Sequence, residues 1–419
     1  MTAGMDDRRA LLRGLFDAAV DAANPMRAVA ANLPGPPAGR TVVIGLGKAA
    51  IPMAMAVEAN WKGQLEGFVV APHGYASPLA RIETIHASHP VPDAGSLTAA
   101  GKALALAKTL GRDDLLIALV SGGGSSLMSL PAPGIAAGEK IGLLRALLKC
   151  GANIAELNCV RKHMSGVKGG RLARAAGEAR IHTLVLSDVP GDDPAVVASG
   201  PTVADPTRKE DALAVLRRYR LEVPDSILAW LAVPDEPRGP LRADNLTRVI
   251  VSPHESFRIV EARARALGLN VLYLGDRIEG ESREVAKVHA AIALQTQQYD
   301  APARRPCLIL SGGETGVTVR GKGRGGRNAE FALALAIALA GAPGIHALAG
   351  DTDGIDGMEA IAGARIGPDS LARARALGLD PVTFLENNDA HSFFERIGDG
   401  VITGPTQTNV NDFRAILVE

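Results

Sequence analysis

The sequence predicts an α/β protein, and three observations carry that prediction. Short β-branched runs alternate with alanine-rich helical stretches, the rhythm of a parallel sheet covered on both faces. Apolar residues are 47% of the 419 and charged residues 21%, enough to bury two ordinary cores and too much for a disordered chain. Most of the β-branched runs end in Gly, Ser or Asp, the residues that let backbone amides approach a ligand at the carboxyl end of a strand.

In chain order the expected strands are residues 41–45, 68–71, 115–121, 182–187, 249–252, 271–274, 308–311, 316–320 and 345–349. Five lead into glycine or acidic turns: Gly45-Leu46-Gly47-Lys48, Ser121-Gly122-Gly123-Gly124-Ser125-Ser126, Ser187-Asp188, Ser311-Gly312-Gly313-Glu314 and Gly350-Asp351-Thr352-Asp353. The stretch 233–245, with Pro234, Pro237 and Pro240 among charged residues, has no apolar periodicity and reads as a linker. The expected domains are therefore residues 1–235 and 246–400, with 401–419 open to either. The Ser-Gly-Gly turns on both sides of the linker hint weakly at related halves. The longest apolar stretch, 331–340, is far short of the roughly 20 residues that cross a bilayer and reads as a buried helix.

Composition excludes several partners. Forty-five basic residues balance 45 acidic ones, and aromatic residues are 3%, so neither the charge of a nucleic-acid or membrane binder nor a stacking platform is present. Cys150, Cys159 and Cys307 show no paired spacing, and the start does not read as a signal peptide, so a cytoplasmic location is expected. Small-molecule ligands remain.

Four familiar motifs fail. Gly45-Leu46-Gly47-Lys48-Ala49-Ala50 has the dinucleotide form Gly-x-Gly-x-x-Ala, yet the second strand ends Ala71-Pro72-His73-Gly74 with no acid for a ribose. Gly316 to Lys322 resembles a Walker A loop, but Gly323 stands where Ser or Thr must hold magnesium. Leu127 occupies the closing glycine of a nucleophile elbow. His86 and His89, before Pro90, have the spacing of structural histidines rather than a zinc site.

What remains suits anion and metal chemistry. Asp188, Asp192 and Asp193 follow one strand and Asp351, Asp353 and Asp356 another, carboxylates of the kind that hard divalent cations prefer, although turn chemistry accounts for many Asp-Gly pairs. The basic loop Arg320-Gly321-Lys322-Gly323-Arg324-Gly325-Gly326-Arg327 opens a helix at 329–340, whose first amides with Arg327 are expected to clamp an anion. Arg161, Lys162 and His163 lie on a helix with an apolar face through Leu157, Val160 and Met164, and a solvated face is the plainer explanation of those charges.

Taken in order, Gly45-Leu46-Gly47-Lys48-Ala49, Ser88-His89-Pro90-Val91-Pro92-Asp93, Ser121 to Ser126, Leu186-Ser187-Asp188, Ala198-Ser199-Gly200-Pro201-Thr202, Gly323 to Asn328, Gly350 to Gly354 and Asn409-Val410-Asn411-Asp412 resemble the class II glycerate kinases over nearly the whole chain. The resemblance implies a Rossmann-like amino-terminal domain, a smaller carboxy-terminal α/β domain and an interdomain cleft. It also implies magnesium-dependent phosphorylation of D-glycerate by ATP at the 2-hydroxyl, with Lys48 and Arg327 as the catalytic lysine and arginine. Gln407, where many relatives have glycine, and Ser252-Pro253-His254-Glu255, in place of an asparagine-containing turn, depart from the pattern.

Phosphoryl transfer needs positioned anions and neutralised charge more than a special nucleophile. The expected roles follow. Lys48, Arg327, Asp188 and Asp351 act in catalysis. Gly122, Gly123, Gly124, Ser125, Ser126, Gly312, Gly313, Glu314, Gly325 and Gly326 hold phosphates. Asn409 joins Lys48 and Arg327 at glycerate, and Asp188, Asp192, Asp351 and Asp353 hold Mg2+, with the identity of the base left open. The expected assembly is a monomer or homodimer. The alternatives are a nicotinamide-dependent hydroxypyruvate reductase and a non-catalytic sensor of nucleotides or sugar acids.

Overall fold

The computed structural model describes residues 5–189, 191–234 and 241–419. Pro190 and the centre of the expected linker, with Pro237 and Pro240, lie outside the described residues. The chain divides into two compact units, Pro25–Ile250 and Val251–Glu419, the latter together with the chain up to Asn24. That differs from the boundaries expected above in the first helix, Met5–Ala22, which joins the second unit, as does the segment after residue 400 that was left open.

The amino-terminal unit is built on six strands: β1 (Thr41–Leu46), β2 (Glu66–Pro72), β3 (Glu83–Ala87), β4 (Leu115–Val120), β5 (Arg180–Leu186) and β6 (Leu246–Val251). Their order is β3-β2-β1-β4-β5-β6, with β2 and β4 both parallel to β1, β3 parallel to β2 and β5 parallel to β4. This is the doubly wound order whose switch point falls between β1 and β4, so ligands are expected beyond the carboxyl ends of those two strands. Every residue of β1 and β4 is buried, which explains why both read as unbroken apolar runs. One face packs Val42, Ile44, Leu46 and Leu116 against Ala99, Ala100, Ala103 and Ala107 of the helix Ala94–Ala107. Asp93 caps that helix through the Ser96 amide at 3.0 Å, and Ser96 caps back.

The carboxy-terminal unit has a mixed sheet of β7 (Asn270–Tyr273), β8 (Ile278–Glu281), β9 (Cys307–Gly316), β10 (Ile345–Asp351), β11 (Gly363–Ile366), β12 (Gly400–Val401) and β13 (Asp412–Val418). The order is β12-β11-β10-β13-β9-β7, with β8 also on β9. β13 runs antiparallel to both β9 and β10, so the wholly parallel arrangement expected from the alternating rhythm holds only in the other unit. The expected strand at 316–320 is absent, because β9 has already ended at Gly316.

Helices cover both faces of this sheet. Leu12, Leu15, Phe16 and Ala19 recur at helical spacing on Met5–Ala22 and pack with Phe257, Leu308, Leu310 and Phe413 on one face. Phe16 meets the Phe413 ring edge-on at 5.5 Å, and Phe257 stacks on it at 5.8 Å. Removing each such ring from water contributes roughly 1.5–3 kcal/mol. The other face packs against the helix Arg327–Leu339, buried along nearly its whole length as its alanine and leucine content requires. No helix among the described residues is long and apolar enough to cross a membrane.

Candidate active site

At the β1/β4 switch point two turns are tied together. Gly47 has φ +121°, and a β-carbon there would meet Ser121 Oγ at 2.1 Å, so only glycine lets the turns approach so closely. The Lys48 amide donates to Gly122 O at 2.8 Å and the Ala49 amide to Ser121 Oγ at 3.1 Å. The Gly47 amide donates to Val70 O. Amides that would hold a dinucleotide pyrophosphate are therefore spent inside the protein, a second argument against the Gly-x-Gly-x-x-Ala reading.

The same turns gather charged side chains. A β-carbon on Gly122 would fall 1.6 Å from Asp188 Oδ2, and one on Gly123 would fall 3.0 Å from His89 Cδ2 and 3.4 Å from Lys48 Cγ. Lys48, His89 and Asp188 thus converge on the Gly122-Gly123 backbone. Gly123, at φ +77°, opens the short helix Gly124–Leu127. Ser125 Oγ bonds to Ser199 Oγ at 2.7 Å, and Ser126 Oγ donates to Gly123 O at 3.0 Å, so both hydroxyls brace the turn.

In the carboxy-terminal unit the organising group is Arg327, first residue of its helix. Its Nε donates to Asp412 Oδ1 at 2.6 Å, Nη2 to Asp351 Oδ2 at 2.7 Å and Nη1 to Glu314 Oε1 at 3.2 Å. The β-sheet register sets Asp351 directly opposite Asp412, at the end of β10 and the start of β13. Burial opposes the charge on Arg327, but Asp412, Asp351 and Glu314 outweigh it and hold the guanidinium above its ordinary range.

Asp412 is fully buried and also accepts from Asn328 Nδ2 at 2.8 Å, from the Thr315 amide at 3.1 Å and from Arg414. Burial alone would raise its pKa; Arg414 and Arg327 instead hold it below the usual carboxylate range. Gly325, Gly326 and Arg327 line a cavity of about 320 Å³ with Thr315, Glu330 and Asn388.

Several expectations need correction here. Gly312 and Gly313 do not form a phosphate turn: β9 runs through them, and the Gly312 amide donates to Gly275 O at 2.8 Å. Glu314 is a partner of Arg327, an acid that would repel a phosphate. The helix start beyond Gly326 is already capped, because the Asn328 and Ala329 amides donate to Asp356 at 2.9 and 2.8 Å. The basic glycine loop is pinned to its own chain: the Arg320 and Gly321 amides donate to Asn388 Oδ1 and the Arg324 amide to Asp389 Oδ1. Lys162 and His163 are buried rather than solvated, Lys162 lying 3.5 Å from Asp205.

The acids divide between the units, and among the described residues no three His, Cys, Asp or Glu side chains form a metal cage of their own. Asp353 Oδ1 accepts from the Ile355 amide at 2.9 Å, and Asn409 Oδ1 from the Asn411 amide at 2.9 Å, so both shape turns. Asp192 sits at φ +55° in the loop after β5. Magnesium needs only one or two carboxylates beside phosphate and water, and Asp188, seated in the hollow that Gly122 leaves, fits that demand. Residues that sequence reasoning missed include Lys140 and Lys168, charged and buried with nothing in the local pattern to separate them from surface charges, while Asp412, also buried, was quoted above in a motif and given no role.

Comparison with known proteins follows this geometry. Residues 11–232 match the family model described as domain of unknown function DUF4147, and residues 307–412 match the MOFRL family. A protein of Agrobacterium vitis named as a hydroxypyruvate reductase is 51% identical over 98% of this chain and 94% of its own. The D-glycerate 2-kinase of Thermotoga maritima is 39% identical, covering 94% of each chain. The crystal structure of glycerate kinase from Thermotoga maritima superposes with a TM-score of 0.88 at 35% identity, over 99% of this chain and 100% of the other. The chain belongs to the class II glycerate kinases, the family that joins a DUF4147 region to a MOFRL region.

Proposed function

We propose that the protein transfers the terminal phosphoryl group of ATP to the 2-hydroxyl of D-glycerate. The observation that carries this reading is the convergence of Lys48 and Asp188 on the Gly122-Gly123 backbone at the switch point, a cation and a carboxylate beside a turn of small residues. The likeness to proteins named D-glycerate 2-kinase and glycerate kinase supports it over most of the chain.

In this reading Lys48 neutralises charge on the transferring group, and Arg327, held in its fork by Asp412 and Asp351, takes the glycerate carboxylate. Asp188 is the first candidate to hold magnesium, with Asp192, Asp351 and Asp353 behind it. The bound ion would neutralise phosphate oxygens. The three cysteines are free thiols, in keeping with work in the cytoplasm.

The test is a product assay with ATP, magnesium and a panel of hydroxy acids that resolves 2-phosphoglycerate from 3-phosphoglycerate. 2-Phosphoglycerate from D-glycerate supports the reading. Oxidation of reduced nicotinamide by hydroxypyruvate, with no phosphorylated product, would overturn it in favour of the reductase named in the Agrobacterium relative.

A further inference from the structure

The amino-terminal unit contains a second feature that the reading above does not use: a cavity of about 580 Å³ beside the Gly123 turn. It is lined by the cations Lys140, Arg145, Arg161 and Lys168 and by the apolar side chains of Val91, Ile141, Leu144 and Leu148.

Arg145 is exposed, and the other three cations lack the partners that buried charges normally have. Lys140 is 3% exposed, and its Nζ has no hydrogen-bond partner among the described residues. Lys168 is 2% exposed and donates to two neutral carbonyls, Ser125 O at 2.7 Å and Met128 O at 2.9 Å. Arg161 donates to the neutral Asn158 at 2.9 Å. Asp93, the acid in the lining, is engaged by His73, Ser88 and Ser96. Burying positive groups without a counter-charge is costly, and a site built that way is completed by an anion. Burial, with Arg161 and Arg171 nearby, brings Lys140 down to about 7, so an arriving anion would restore its proton.

Size and shape narrow the anion. The helix Ala137–Lys149 presents Lys140, Ile141, Leu144 and Leu148 along one side, so its cation and its last leucine stand about 12 Å apart on the axis. A small, wholly polar hydroxy acid needs neither this volume nor an apolar wall. A molecule with a polyphosphate at one end and a flat base at the other matches both.

We propose that this cavity is the nucleotide subsite, with the triphosphate of ATP held by Lys140, Arg161 and Lys168 and the adenine against Ile141, Leu144 and Leu148. The assignment rests on the kinase reading. Gly123 and His89 belong both to this cavity and to the surroundings of Lys48, so the cavity adjoins the lysine that the kinase reading puts at the transferring group.

Calorimetric titration of the full-length protein with ATP, and separately with inorganic tripolyphosphate, in the absence of glycerate, tests it. Lys140→Met should weaken both ligands at least about tenfold, and Lys140→Arg should recover part of that loss. Leu148→Asp, at a position 58% exposed and therefore tolerant of substitution, should weaken ATP at least about fivefold and tripolyphosphate much less. In steady-state assays Lys140→Met should raise KM for ATP and leave KM for glycerate within about twofold. Folded Lys140→Met and Leu148→Asp proteins that bind ATP like the wild type would overturn the subsite even if the wild type makes phosphoglycerate. A wild type that binds ATP through these residues but makes no phosphoglycerate would leave the subsite standing and remove the kinase reading.

Discussion

The carboxylate of Asp188 occupies the space that a side chain on residue 122 would take, with Oδ2 1.6 Å from the position of a β-carbon on Gly122. Any larger residue there must push the acid aside, and because Oδ2 ends a rotatable side chain the backbone need not follow. Gly122→Ala should keep its circular dichroism and thermal midpoint while kcat falls at least about tenfold. Wild-type turnover in a folded G122A protein would remove Asp188 from the reaction.

Lys48 and Arg327 carry different kinds of charge, and the difference is measurable. Lys48→Ala and Arg327→Ala should each lower kcat at least about a hundredfold. Arg327→Lys should restore little, since an ammonium cannot reproduce the fork that meets Asp412, Asp351 and Glu314 at once. Recovery of more than about half of wild-type turnover by R327K would show that a point charge suffices there.

Asp412 is the common acceptor of two guanidiniums, and neutralising it leaves both short of a counter-charge. Asp412→Asn, nearly the same shape, should cost about 3–5 kcal/mol in denaturant unfolding. Because the folded pKa of Asp412 is depressed, its stabilisation is present above the ordinary aspartate pKa and is lost as pH falls through the lower folded value. A cost below about 1 kcal/mol would show that this network is not what holds the unit together.

Asp356 behaves in the opposite sense. It is buried with Asp412 nearby, and its pKa is pushed up to about 6 despite two amide donors. Its folded value exceeds its unfolded one, so its contribution is fully present below the unfolded pKa and is lost as pH rises through about 6. Relative to Asp356→Asn, the wild type should therefore lose up to about 3 kcal/mol between pH 4 and 7, read by urea unfolding at both values. A difference that does not change with pH would contradict the raised pKa.

The parts of the fold legible in sequence were those where burial on both faces leaves an uninterrupted apolar run: β1, β4, β5 and β10, with their turns. β13 was not, because Asp412 and Arg414 break its apolar pattern, and apart from each other their partners lie far off in sequence, such as Arg327 and Thr315. Gly312 misled for a related reason: a β-carbon there would strike the Phe257 ring at 2.4 Å, and a glycine that makes room inside a strand looks the same as one that ends it. At the site, Lys48 and Asp188 stood out because they adjoin glycine turns. Lys140 and Lys168 stand in unremarkable local sequence, and only the packing around them shows that they are out of water.

The helix Met5–Ala22 has a consequence for how the chain is made. It leaves the ribosome well before the Phe257 and Phe413 rings against which Phe16 rests. For most of translation its leucines have no native partner, so a shield from a chaperone or from the helix's own neighbours is called for. A protease cut or an expression boundary near residue 240 would divorce this helix from its seat. A carboxy-terminal fragment intended to fold unaided should carry residues 5–24 grafted beyond Glu419 through a flexible tether.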